Sequence, residues 1–334
     1  MSEESREFRS VGVERALEVL EARALDSRPA LLSPFPSLND LLHRGGFHPG
    51  ELVVLGGRMH TRKTAVALNM VVQLLKDGVP VGFLTLDESL AMYSSKFLSA
   101  YTGTGSELLE RQWKSPQVKK WRKAWAAAAQ RLTLSEGVRP NFNQLQQWLL
   151  DAEFDRKGRE RPRVVFVDYT SLLVHYRTDE VQRVPRLMEE LQVFTHENEL
   201  VTVALHQAGR MDEGVSKRNH GDTPGTAEAL LYGGEQQADI ILNTYRPALN
   251  QLGNMSLAQA KMILRDKFDE DEWQDAVGLV RRYQDSTFVQ LLKNRPGTKL
   301  CFEGIEVTSR GDSQQMAQVG FDFAGDIEGK GAAR

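Results

Sequence analysis

A single cysteine, Cys301, in 334 residues excludes an internal disulfide. The seven histidines are scattered with no ligand spacing, which argues against structural zinc. No apolar run approaches the roughly 20 residues of a membrane-spanning helix. The first 30 residues carry charge throughout, where a signal peptide would have an apolar core. Basic residues are not in excess either. Lys and Arg number 42 against 45 acids, a net charge of −3, so any nucleic-acid contact must be local. These absences predict a soluble cytoplasmic protein with no membrane partner, in which Cys301 is a small apolar residue in a strand.

What the sequence does have is an apolar run, Leu52 to Leu55, followed by Gly56 Gly57 Arg58 Met59 His60 Thr61 Arg62 Lys63 Thr64 and a helical pattern from Ala65. A strand, a glycine-containing turn and a helix opening on Lys-Thr form the layout of a phosphate-binding P-loop. In that layout Gly57, Arg58, Thr61, Arg62, Lys63 and Thr64 surround the phosphates. Lys63 reaches the β and γ phosphates of ATP, and the Thr64 hydroxyl ligates Mg²⁺. The second glycine of the pattern is Arg62 here, so the motif alone leaves a nucleotide site and a coincidental turn both open.

Later segments weigh on that choice. Pro80 to Leu86 reads as a buried strand ending in Asp87 and Glu88, the place from which a carboxylate orients an attacking water; capping of the next helix is the plainer role. Arg163 to Val167 is an apolar strand ending in Asp168, the Walker B arrangement that holds an acid for a magnesium water shell. Leu200 to Leu205 ends at His206 and Gln207, and Gln207 is a candidate γ-phosphate sensor. Two further strands are expected at Ala238 to Asn243 and Thr287 to Leu292, with a final one at Cys301 to Thr308.

Between these segments, residues 103–161 read as helical. Their basic and aromatic stretch Lys119 to Trp125 reads as a core stripe, since Trp121 and Trp125 are four apart on one helix face. Residues 208–234 read as a long functional loop. Val13, Leu17, Leu20 and Ala24 mark an amphipathic helix, and docking on another subunit or folding back on its own core both remain open. The expected organisation is an arm and linker helix at 1–30, an ATPase domain at 31–310 with a helical insertion at about 248–285, and an unstructured tail at 311–334. Within that tail Phe321 Asp322 Phe323 reads as a docking peptide.

Several blocks, in this order, resemble the C-terminal motor domain of the DnaB-type hexameric replicative helicases. They are Ser37 to Leu42 with Gly46, Pro49 and Gly50; Thr64 to Asn69; Leu84 to Ser89; Val167 Asp168 Tyr169; Leu205 to Arg210; Glu235 to Asp239; and Lys293 Asn294 Arg295. The resemblance runs from about residue 11 to 310. It implies an α/β fold with a RecA-like P-loop NTPase core, a mostly parallel sheet with helices on both faces, preceded by a linker helix that packs on the adjacent subunit. It also implies a homo-oligomer, a ring of six, with ATP and Mg²⁺ between neighbours and Lys293 and Arg295 reaching in trans. The partners implied are single-stranded DNA and a helicase loader or primase. The family's N-terminal primase-binding domain is expected to be absent, as in compact phage or plasmid forms.

Three departures stand out. Arg62 replaces a glycine, and Asp87 stands where the family has its catalytic glutamate, with Glu88 beside it. Ala229 to Gly234 replaces the family's DNA-binding loop, leaving the backbone N–H groups of Gly233 and Gly234 as candidate DNA contacts. A second reading follows from Arg62 and Asp87: a RecA-like assembly or loading partner with little ATPase activity.

Overall fold

The structure is a computed structural model. It describes residues 29–137, 140–150, 160–170, 180–207, 221–227, 234–264, 269–309 and 312–319, together with residues 13, 14, 17, 18 and 21. The chain divides into two compact units, residues 1–30 and 31–334. In the first, residues 13, 14, 17, 18 and 21 are helical and exposed, Val13 and Leu17 among them.

The second unit is built on a nine-stranded sheet in the order β3-β2-β4-β5-β1-β6-β7-β8-β9. The strands are β1 Leu52–Gly57, β2 Val81–Thr85, β3 Leu132–Glu136, β4 Val164–Asp168, β5 Val201–Gln207, β6 Ile240–Tyr245, β7 Ser286–Asn294, β8 Cys301–Ser309 and β9 Met316–Gln318. From β3 to β6 the pairings are parallel. From β6 to β9 they are antiparallel. Two expectations are corrected here. Residues 103–161 contain β3, and 316–318 extend the sheet beyond the expected boundary at 310.

The central parallel strands β1, β2 and β4 are buried along their length because both faces are covered. Their residues alternate between two cores, as strand periodicity requires. Helix α1 is Pro36–Leu41, and Val53, Leu55, Phe83 and Phe166 pack with helix α2, Lys63–Lys76, and helix α3, Leu90–Thr102. Leu52, Val54, Val165 and Val167 pack on the opposite face with Leu187, Leu191 and Phe194 of the helix Glu180–Glu197. The tryptophan stripe is a core feature: on the helix Pro116–Ala128, Trp125 stacks against Phe97 at 5.7 Å while Lys119, Lys120, Arg122 and Lys123 remain exposed. Between β6 and β7 lie the helices Leu257–Leu264 and Glu270–Arg282. No described helix is long and apolar enough to cross a membrane.

Parallel strands of this kind present their functional residues at their C-terminal ends. Register places Gly57 of β1 beside Gln207 of β5 and Thr244 of β6, and Thr85 of β2 beside Asp168 of β4. The loops leaving this edge carry the candidate site.

Candidate nucleotide site

Backbone conformation shapes the loop between β1 and α2. Gly57 has φ +149°, and a Cβ there would lie 2.4 Å from Thr244 Oγ1 and 2.6 Å from Thr61 Oγ1, so only glycine fits. Thr61 closes the loop: its hydroxyl donates to the Arg58 carbonyl oxygen at 2.8 Å and pairs with Thr244 Oγ1 at 2.8 Å. His60 and Arg62 are both left-handed, with φ of 62° and 65°. Such a conformation costs a residue with a Cβ about 1–2 kcal/mol.

Helix α2 begins without a cap. Its N-cap residue, Arg62, makes no side-chain bond to the first turn, and that turn holds no acid. Helix α3, by contrast, is capped by Ser89. An uncapped start leaves backbone N–H groups and the positive end of the helix dipole for an anion.

Lys63, on the first turn of α2, folds over the loop and donates from Nζ to the Arg58 carbonyl oxygen at 2.8 Å. Burial pulls its pKa down to about 8, against the opposing pull of Asp168. Thr64 donates to Asp168 Oδ2 at 3.0 Å, and the Tyr93 hydroxyl donates to the same oxygen. Burial pushes the Asp168 carboxyl above the usual carboxylate range, and those two hydrogen bonds oppose the shift. The residues fit Mg²⁺, which takes oxygen ligands, keeps several waters and needs only one or two protein oxygens beside phosphate. Among the described residues there is no cluster of three or more acids, histidines or cysteines that could serve as a dedicated metal cage.

Arg62 turns away from this cradle. Its Nη1 donates to the Asp285 backbone carbonyl at 3.0 Å and to the Ser309 hydroxyl. Asp87 is exposed at the end of β2, while Glu88 accepts from Lys96 Nζ at 2.6 Å. Gln207 sits level with Gly57 at the end of β5.

Lys293 and Arg295 lie elsewhere. Because β7 runs antiparallel to β6, Asn294 pairs with Ile240 at the start of that strand. Arg295 binds Asp239 Oδ1 at 3.0 Å, and Asp239 in turn accepts from the Leu52 backbone at the beginning of β1. Gly57 is five residue steps along β1 from that point, on the order of 17 Å at a strand's rise. Lys293 donates to the Gln236 carbonyl oxygen at 3.1 Å, near the short turn Gly234–Gln236. Gly233 and most of the 208–234 loop lie outside the described residues.

Sequence reasoning misses three contributors. Tyr93 reads only as part of an apolar stripe, and Lys96 belongs to no motif. Arg246 follows β6 and donates to the His60 carbonyl at 3.2 Å and the Gln284 carbonyl at 3.2 Å. Burial, then the neighbouring Arg62, pulls its pKa down to about 10. The rule that finds Gln207, a polar residue at a parallel strand's end, also finds Arg246.

Comparison with known proteins decides the family. A profile described as DnaB-like helicase C terminal domain matches residues 31–297. The chain belongs to this family. It is 27% identical over 217 residues to the replicative DNA helicase DnaB of Helicobacter pylori strain J99, covering 63% of this chain and 43% of that protein. It is 26% identical over 210 residues to DnaB of Treponema pallidum, covering 60% and 45%. The matches thus span under half the length of these relatives. Among solved structures, an ATPase domain superposes with a TM-score of 0.68 at 15% identity, over 93% of this chain and 100% of that one. A DnaB-like replicative helicase, studied for its interactions with primase, gives 0.65 at 16% identity, over 92% and 67%. This DnaB-type chain therefore has the RecA-like α/β fold of those structures.

Proposed function

We propose that this DnaB-type chain is an ATP-driven motor that assembles as a six-membered ring, hydrolyses ATP between neighbouring subunits, and draws single-stranded DNA through the ring to unwind duplex. The observation that carries the reading is the convergence of Lys63, Thr64 and Asp168 at an uncapped helix start. In this reading the α2 N–H groups and Lys63 hold the phosphates. Thr64 and Asp168 hold Mg²⁺, which when bound neutralises charge on the phosphate oxygens. Asp87 orients the attacking water and Gln207 contacts the γ-phosphate side.

The cations Lys293 and Arg295 serve the neighbouring subunit's site, since their own P-loop lies at the far end of β1. The exposed Val13 and Leu17 stripe supports the linker helix as the element that docks on an adjacent copy. Backbone groups near Gly233 and Gly234 contact DNA phosphates. The competing reading, a nucleotide-impaired partner, draws on Arg62 and Asp87, and the turning of the Arg62 side chain toward Asp285 and Ser309 weighs against the first of these.

The test is ATP hydrolysis by the purified chain with and without single-stranded DNA, using Lys63→Ala as the blank. Hydrolysis stimulated by DNA and abolished in Lys63→Ala is expected. No hydrolysis above the blank, at concentrations that form rings, would overturn the motor reading in favour of an assembly partner.

A further inference from the structure

Tyr93 is among the largest fully buried side chains, 1% exposed, and its ring packs against Phe83 at 5.0 Å and Phe97 at 6.3 Å. A buried tyrosine needs a partner for its hydroxyl. Here the partner is the Asp168 carboxylate, through Oδ2, the same oxygen that accepts from Thr64. Two donors occupy the lone pairs of Oδ2. Among the described residues, no hydrogen-bond donor to Oδ1 is seen. One turn further along α3, Lys96 Nζ binds Glu88 and lies 5.6 Å from the Tyr93 ring centroid. A single face of α3 therefore grips the acid at the end of β4 and one of the two acids after β2.

We propose that Tyr93 is a positioning residue for Asp168: by donating to Oδ2 it fixes the carboxylate so that Oδ1 is the acceptor offered to the magnesium water shell. This rests on Thr64 and Asp168 being the Mg²⁺ side of the site. Phe83 and Phe97 hold the ring, so the hydroxyl arrives at Oδ2 with little freedom left to lose on loading. Lys96 acts in parallel on Glu88, drawing it into an ion pair and leaving Asp87 as the carboxylate facing solvent.

A core role alone would make Tyr93→Phe a small stability change. A positioning role makes it a change in metal response, so the two separate in one titration. Binding of a fluorescent ADP analogue to the full chain is measured in EDTA and then across a Mg²⁺ series, for wild type and Tyr93→Phe. For Tyr93→Phe the metal-free affinity is expected to stay within about twofold. Its Mg²⁺ midpoint is expected to rise about tenfold, the scale of one hydrogen bond to a charged group. An unchanged midpoint in Tyr93→Phe, with wild type responding to Mg²⁺, would overturn the positioning role alone. Absence of nucleotide binding by wild type would overturn the motor reading itself.

Should Tyr93→Phe lose its cooperative melt, 3-fluorotyrosine incorporated in the full chain gives a second readout. The chain has seven tyrosines, which are assigned one by one by substitution of the others. The Tyr93 fluorine resonance is expected to shift with Mg²⁺ and ADP together and not with ADP in EDTA. An identical resonance in both would overturn the proposal.

Discussion

Arg62 donates from Nη1 to the Asp285 backbone carbonyl at 3.0 Å, and so the residue that replaces the P-loop's second glycine is anchored to the chain just before β7. The glycine-like backbone is kept, at φ 65°, while the side chain leaves the space over the loop. Arg62→Gly would relieve the left-handed strain, about 1 kcal/mol, and lose exposed hydrogen bonds of similar worth. The expected result is a melting temperature within a few degrees of wild type and an ADP affinity within about threefold. A gain of tenfold or more in calorimetric titration would show that Arg62 obstructs phosphate and would reinstate the impaired-site reading.

The two acids after β2 have different surroundings. Asp87 is exposed, while Glu88, its side chain 33% exposed, is paired with Lys96, 21% exposed. Asp87→Asn is expected to lower the hydrolysis rate by about 10²–10⁴, the usual contribution of a positioned carboxylate, with ADP affinity preserved. Glu88→Gln is expected to cost less than tenfold. Asp87→Glu restores the missing methylene and is expected to keep or raise the rate. A Glu88→Gln defect larger than that of Asp87→Asn, in single-turnover hydrolysis, would exchange the two roles.

Much of the fold was legible because its parallel strands are continuous apolar runs that end in polar residues: Val164 to Asp168 and Val201 to Gln207 announce both strand and site. β3 was not. Leu132 to Glu136 is a half-buried edge strand of five residues, embedded between helices, whose alternation of Leu132 and Leu134 with Thr133 and Ser135 is too short to outweigh its flanks. β9 was invisible for another reason. Its place is set by side chains distant in sequence: Asn69 of α2 accepts from the Met316 backbone at 2.9 Å and donates to the Gln314 carbonyl at 2.7 Å. The bond from Tyr93 to Asp168 spans 75 residues and depends on β2 lying beside β4, which no local pattern encodes. Motif residues follow from local spacing, whereas their supports follow from topology.

The positions of Lys293 and Arg295 at the far end of the sheet make complementation a direct test of action between subunits. Arg295→Ala and Lys63→Ala are each expected to lose on the order of 10³ in rate. Mixed in equal amounts before ring assembly, they are expected to recover activity, since roughly one interface in four then pairs an intact P-loop with an intact finger. Arg295→Ala also leaves Asp239 with its Leu52 hydrogen bond and His196 Nε2 at 4.0 Å, so melting curves of the single variants accompany the assay. No recovery on mixing, with both variants folded and assembled, would contradict the trans arrangement.

Lys63 gives the site a pH signature in metal-free, nucleotide-free protein. Burial holds the folded-state pKa at about 8 against 10.5 for the free side chain. Below about pH 8 the amine is charged in both states and the folded protein bears the full cost of burying it, on the order of 3 kcal/mol. Between about 8 and 10.5 the unfolded state binds the extra proton, so stability rises with pH across this window. Above 10.5 the amine is neutral in both and the cost is gone. Lys63→Met has no charge to bury. It is therefore expected to be more stable than wild type at pH 7, with the difference shrinking toward pH 10. Titrating groups other than Asp168, which faces Lys63, act equally on both proteins, so the difference between their urea midpoints reports Lys63 together with Asp168. A gap that stays constant from pH 7 to 10 would mean that Lys63 is hydrated in the empty protein. The same shift predicts that ADP binding at pH 8.5 takes up protons, because bound phosphate restores the charged amine. Calorimetry in two buffers of different ionisation enthalpy reads that uptake, and Lys63→Ala is expected to abolish it.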